Sequence, residues 1–112
     1  MQTTWKAFLE PRSDDESAIR VVGDFDIRSA DDVASVVRRA EAAAGQRIVF
    51  ELDDVTFMDS VALAVLIGAR ERARVRDGQV VVRAERGPAR DLLGLVGLTE
   101  LLEDPARAGD GR

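Results

Sequence analysis

The chain has 112 residues, 16 of them Lys or Arg and 21 Asp or Glu, for a formal charge of −5. That is one domain's worth of chain, with 46% hydrophobic residues to bury a modest core and no basic block of the kind that nucleic acid or an anionic membrane surface requires. Histidine and cysteine are both absent, which excludes a disulfide framework, a thiolate nucleophile, an imidazole base and the usual zinc sites. Lys6 is the only lysine, so neither a P-loop lysine nor a Schiff-base lysine is available in the body of the domain. The start lacks the basic and apolar regions of a signal peptide, and no run approaches the roughly 18 apolar residues of a membrane span. The sequence therefore reads as cytoplasmic, with neither nucleic acid nor membrane as a partner.

Thr4 to Leu9 alternates weakly, and Ala18 to Val22 is rich in β-branched residues, with Pro11, Ser13, Asp14 and Asp15 between them. This predicts an antiparallel hairpin. Ser29 with Asp32 three residues on resembles an N-cap with an acidic N3 residue, and a helix is expected from Ala30. Val33, Val36, Val37, Ala40 and Ala44 recur at the spacing of an amphipathic helix, with Gly45 placed to stop it. Ile48 to Leu52 reads as a buried strand. Val61 to Arg76 lacks proline and is rich in Ala, Leu, Arg and Glu, which predicts a second helix beginning near Ser60 and stopping near Asp77 and Gly78. Val80 to Val82 makes another strand, Gly87-Pro88 a helix start, and Asp91 to Val96 a short third helix closed by Gly97. Helices alternating with buried strands imply an α/β domain over residues 1–104, with a mixed four- to five-stranded sheet and helices packed mainly on one face. Residues 105–112 read as a disordered tail.

Ser60 follows Asp59 where a strand's exit loop meets a helix N-terminus. A serine at N-cap accepts from first-turn amides, and the macrodipole makes the same position a host for an added phosphate, so a plain cap and a phosphorylation switch both fit.

Phe57-Met58-Asp59-Ser60, followed by Leu63 and a helix containing Gly68, resembles the Asp-Ser segment of the STAS domain, in particular that of the bacterial anti-sigma-factor antagonists. Gly23-Asp24-Phe25-Asp26 with Ser29-Ala30 is similar to that family's Gly-x-Leu-Asp segment, and Leu93, Gly97-Leu98 and Leu102 to its C-terminal Leu-x-x-x-Gly-Leu segment. The resemblance spans about residues 4 to 104. It implies a non-enzymatic switch. An anti-sigma factor that is also a GHKL-type serine kinase binds the unphosphorylated antagonist, releases its sigma factor and later phosphorylates the serine matching Ser60, and a PP2C-type phosphatase reverses the modification. Asp26 and Asp59 match acidic positions beside that serine. Val61 and Ala62 stand where the family usually has Ser or Thr and then Gly, and a β-carbon at position 62 is expected to hinder a kinase that approaches the backbone closely.

The second helix carries a docking signal of its own. At 100° per residue Ala62, Val65, Leu66, Ala69 and Ala73 fall on one side, and Val61, Ala64, Gly68 and Val75, with Glu71 among them, on the other. The second set is either a contact patch or ordinary scattered exposure. The expected partner-binding residues are Asp26, Asp59, Ser60, Val61, Ala64 and Gly68. Arg70, Arg72, Arg74 and Arg76, interleaved with Glu71, read as a solvated face rather than a phosphate site. A receiver-type phosphoacceptor at Asp53 or Asp54 fails for want of the lysine after the last strand. No Gly-rich phosphate loop is visible, and neither cofactor nor metal is expected. The alternative to a switch is a constitutive STAS interaction module within a larger signalling or transport assembly, with Ser60 only a cap.

Overall fold

The polar stretch from Arg12 to Asp15 turns the chain back on itself, with the Arg12 and Ser13 amides both donating to Glu16 O at 2.9 and 3.1 Å. This joins β1 (Trp5–Pro11) to β2 (Glu16–Phe25) antiparallel, pairing Trp5 with Gly23 and Pro11 with Ser17. The computed structural model describes residues 5–44 and 46–103. Thr4, Gly45 and the segment 105–112, expected to be a strand start, a helix stop and a disordered tail, lie outside the described residues.

After β2 come α1 (Ala30–Ala44), β3 (Arg47–Glu51), β4 (Val55–Met58), α2 (Ser60–Val75), β5 (Gln79–Arg83), α3 (Pro88–Leu95) and a 3₁₀ turn at Thr99–Leu101. The sheet is mixed and five-stranded, in the order β1-β2-β3-β5, with β4 joining β2 beyond the end of β3. β3, β4 and β5 all run parallel to their neighbours. β4 was not expected from the sequence. It is four residues long, and its two middle residues are exposed.

One face of the sheet, carrying Ile19, Val21, Ile48, Phe50, Val80 and Val82, meets Val33, Val37 and Ala40 of α1 and Ala62, Leu66, Ala69 and Ala73 of α2 in a single core. α3 packs against β4. It starts at Pro88, the helix start expected from Gly87-Pro88, since proline at the first turn presets φ and needs no amide partner, and its first turn precedes the apolar run from Asp91. It ends as expected at Gly97, with φ at 77° and Leu98 N bonded to Leu93 O at 2.8 Å. α2 closes the same way, Gly78 N donating to Ala73 O at 2.7 Å, but the left-handed residue is Asp77, not Gly78.

The expected cap on α1 is replaced. Ser29 is fully buried and turns backward, donating to Asp24 O at 2.8 Å and accepting from Asp26 N at 3.1 Å, while Asp32 accepts from Trp5 Nε1 at 2.8 Å.

Among the described residues the second face of the sheet carries no helix but a chain of ion pairs. Glu10 pairs with Arg12, Arg12 with Glu51, Glu51 with Arg83, Arg83 with Glu103, Glu103 with Arg47 and Arg47 with Glu16. Ala18 and Val49 lie on this face and are nonetheless fully buried. Glu103 N also donates to Val82 O, so the C-terminal segment is tied to the outer side of β5.

Leu66, with no exposed surface, anchors α2, whereas Val75 on the opposite side is 89% exposed. Leu66→Ala is expected to cost about 2–5 kcal/mol in urea unfolding, and Val75→Ala to shift it by no more than about 0.5 kcal/mol.

Candidate functional site

β2 and β4 are neighbouring parallel strands in which Phe25 pairs with Met58, so the residues that follow, Asp26 and Asp59, leave the sheet side by side at its carboxyl end. The register slips between Gly23 and Asp24, making Thr56 the extra residue of a bulge. Its hydroxyl donates to Asp24 Oδ1 at 2.8 Å.

Asp59 has extended backbone (φ −133°, ψ −170°), and its Oδ1 accepts from the amides of Val61 and Ala62 at 3.0 and 3.3 Å. Asp59 is therefore the N-cap of α2, and Ser60, expected in that place, is the first helical residue. Both residue types cap well, and the extended conformation selects Asp59. The Ser60 side chain is consequently exposed and outside the cap. Ala64, also exposed, and Gly68, half-buried, follow at four-residue steps along the same side of α2, with Val61 half-buried at its margin. Ala62 is fully buried, so its β-carbon is turned into the core rather than outward.

Asp26 is not a free acid. It is 7% exposed and is gripped by Arg28, whose backbone amide donates to Oδ1 at 2.9 Å and whose Nη2 donates to Oδ2 at 2.8 Å. The same Nη2 reaches Asp24 Oδ2 at 2.9 Å, and the guanidinium lies 5.9 Å from the centroid of the Trp5 ring. The Arg28 hydrogen bonds hold the Asp26 carboxyl below the usual carboxylate range, against the opposing effect of its burial. One guanidinium thus binds two carboxylates beside Ser60. Two large apolar side chains adjoining these residues in the chain are also exposed, Ile27 at 73% and Phe57 at 50%. Arg28 and Thr56 were missed by sequence reasoning, and the only local sign was Asp-x-Asp-x-Arg at 24–28.

The other residues singled out from sequence have structural partners. Asp54 binds Arg20 at 2.6 Å and Asp53 accepts from Glu85 N at 2.8 Å. Arg72 pairs with Glu41 and Arg74 with Glu71 on an exposed face, as the solvated-face reading expects, whereas Arg70, paired with Glu100, has only 18% of its side chain exposed. Among the described residues no group of three or more acidic, His or Cys side chains could hold a metal ion, and no helix is long and apolar enough to cross a membrane.

Two outcomes follow from this geometry. Asp59→Ala is expected to lower stability by about 0.5–2 kcal/mol through loss of the cap, and Ser60→Ala to change it by less than about 0.5 kcal/mol, both read by chemical denaturation. Because the folded pKa of Asp26 lies below its unfolded value, the stabilisation it brings is complete above about pH 4 and is lost as pH falls through the folded value. Stability curves of wild type and Arg28→Ala should be well separated at neutral pH and converge in acid.

The site can be set beside known proteins. An anti-sigma-B factor antagonist of Listeria monocytogenes is 26% identical over 95 residues, covering 85% of this chain and 83% of its own, and one of Listeria innocua matches with the same figures. The solved structure of the anti-sigma factor antagonist SpoIIAA in its unphosphorylated form superposes with a TM-score of 0.77 at 18% identity, over 88% of this chain and 87% of that one. An anti-sigma factor antagonist from Mycobacterium paratuberculosis gives 0.76 at 24% identity, over 88% and 82%. SpoIIAA of Bacillus in the phosphorylated form gives 0.70 at 19%, over 94% and 97%. The STAS domain family model matches residues 10–107, nearly the whole chain, and the chain therefore belongs to the STAS domain family.

Proposed function

We propose that this chain is an anti-sigma-factor antagonist. Acting in the cytoplasm, it binds an anti-sigma factor of the GHKL serine-kinase type while Ser60 is unmodified, and so frees a sigma factor. Phosphorylation at Ser60 ends the binding, and a PP2C-type phosphatase restores it. The observation that carries this reading is the division of labour at the start of α2, where Asp59 takes the cap and leaves an exposed Ser60 hydroxyl at the first helical position. A phosphate there would gain from the helix dipole and add about −1.5 to −2 charges without breaking the cap. The family membership and the anti-sigma-factor antagonists among the similar proteins support the same reading.

The partner surface in this reading is the side of α2 that carries Ser60, Ala64 and Gly68, flanked by Val61, Ile27 and Phe57. Asp26 and Asp59 contribute by fixing its shape, since the carboxylate of each is already engaged within the domain. A β-carbon at Gly68 would meet only the mobile end of Arg72, at 3.2 Å, so the fold itself tolerates alanine there.

Titration of the purified kinase partner with variants tests the proposal. Ser60→Asp should stay folded, aided by the helix dipole, and lose affinity, while Ser60→Ala should keep binding and resist inactivation by kinase and ATP. Ala64→Arg should weaken binding by at least about thirtyfold, on the order of 2 kcal/mol, as expected for a desolvated centre. Wild-type binding by Ser60→Asp, together with no phosphate on Ser60 by mass mapping, would identify a constitutive STAS module instead.

A further inference from the structure

The two outer strands of the sheet are treated differently. On the outer side of β5, Val82 forms a bridge with Leu102 and accepts a bond from Glu103 N. β1 has β2 on one side and, among the described residues, no strand on the other. A groove of about 310 Å³ opens along it, lined by Trp5, Lys6, Ala7, Phe8, Asp32 and Val36.

Which backbone groups face outward is set by the hairpin. Arg12 N donates to Glu16 O in the same register that pairs Trp5 with Gly23, so the alternation of the ladder turns Lys6, Phe8 and Glu10 toward β2. Trp5, Ala7, Leu9 and Pro11 present their backbone groups to the groove. Lys6, Phe8 and Glu10 project their side chains on the face without helices. The Lys6 ammonium makes no ion pair with any described residue, Phe8 is 42% exposed, and the Glu10 side chain is 41% exposed, with Arg12 as its neighbour at 3.1 Å.

A second copy of β1 can add antiparallel only where outward residues oppose outward residues. Centring the pair on Lys6 or on Glu10 stacks like charges on the two-fold axis, and centring it on Ala7 or on Leu9 sets Phe8 against a charge. Centring it on Phe8 sets Lys6 against Glu10 on both sides of the axis, Phe8 against Phe8, and Ala7 against Leu9 as the hydrogen-bonded rungs. Pro11, which has no amide to donate, then falls at the outermost rung opposite Trp5. We propose that this chain forms a two-fold homodimer by antiparallel pairing of β1 with β1 of a second copy, centred on Phe8. A lone lysine on an edge strand normally repels strand addition, but here the same strand carries its complement four residues away. The dimer joins two sheets into one of ten strands and directs the two Ser60 surfaces to opposite ends. It is independent of the role proposed for Ser60, and its test does not pass through that residue.

Sedimentation equilibrium of the full chain over a range of concentrations should report twice the 12.2 kDa of one copy. Lys6→Glu and Glu10→Lys should each weaken association about tenfold or more, since each replaces two attractive pairs by two repulsive ones. An equimolar mixture of the two variants should recover wild-type association, because opposite charges then meet on both rungs. Circular dichroism establishes that each variant is folded. As the chain has no cysteine, mild oxidation of Phe8→Cys should give a covalent dimer across the axis, where directly opposed Cα atoms of a non-hydrogen-bonded pair, about 4.5 Å apart, suit a disulfide. A wild-type mass of 12.2 kDa at every concentration overturns the proposal, as does a mixture of the two charge variants that associates no better than either alone.

Discussion

β2 is bonded along its length by β1 on one side, and on the other first by β3 and then by β4. The remaining elements take their places from that shared strand. Its first half, Glu16 to Arg20, commits β3 to the middle of the sheet and so fixes where β5 and the covering helices lie. Its second half carries β4 to the same edge with a one-residue slip, and the slip brings the end of β4, and with it Asp59 and Ser60, next to the turn at Asp26. A strand serving three partners leaves little freedom. A shift of its register would turn Ile19 and Val21 out of the core and separate the two halves of the site together.

The carboxylates at that junction are not presented as charges. Asp24 and Asp26 share Arg28, and Asp59 is spent on the first-turn amides of α2. What the surface offers is a hydroxyl on a helix terminus, small side chains at Ala64 and Gly68, and the apolar Ile27 and Phe57. Such a surface suits close contact with a protein, and a phosphate added to it would change its character more than one added to an already charged patch.

Much of this was legible in the sequence, and the boundary of legibility has a physical basis. α1 and α2 bury one side along many turns, so their periods survive in Val33, Val36, Val37 and Ala40 and in Ala62, Leu66, Ala69 and Ala73. β3 and β5 show as short apolar runs. β4 does not, because Thr56 and Phe57 are both exposed and its order comes from pairing with β2, thirty residues away in the chain. The caps failed for the same reason. Ser29 and Asp32 have the spacing of a capping box, but tertiary partners at Asp24 and Trp5 take them. At Asp59-Ser60 two good caps adjoin, and backbone conformation rather than residue type selects between them. Arg28 lies in a turn with no period to betray it.

The ion-pair chain across the open sheet face has a thermal consequence. Its cations are all arginines, and its links, Arg12 to Glu51, Arg83 to Glu103 and Arg47 to Glu16 among them, tie the hairpin turn, β2, β3, β5 and the C-terminal segment to one another. The cost of stripping water from charged groups falls on heating, whereas hydrophobic burial gains little further. The two faces of this sheet therefore respond differently to heating, the ion-paired face strengthening while the apolar one levels off. The helix-covered core supplies most of the cohesion in the cold, and the arginine–glutamate lattice takes a growing share as the protein warms toward its melting point.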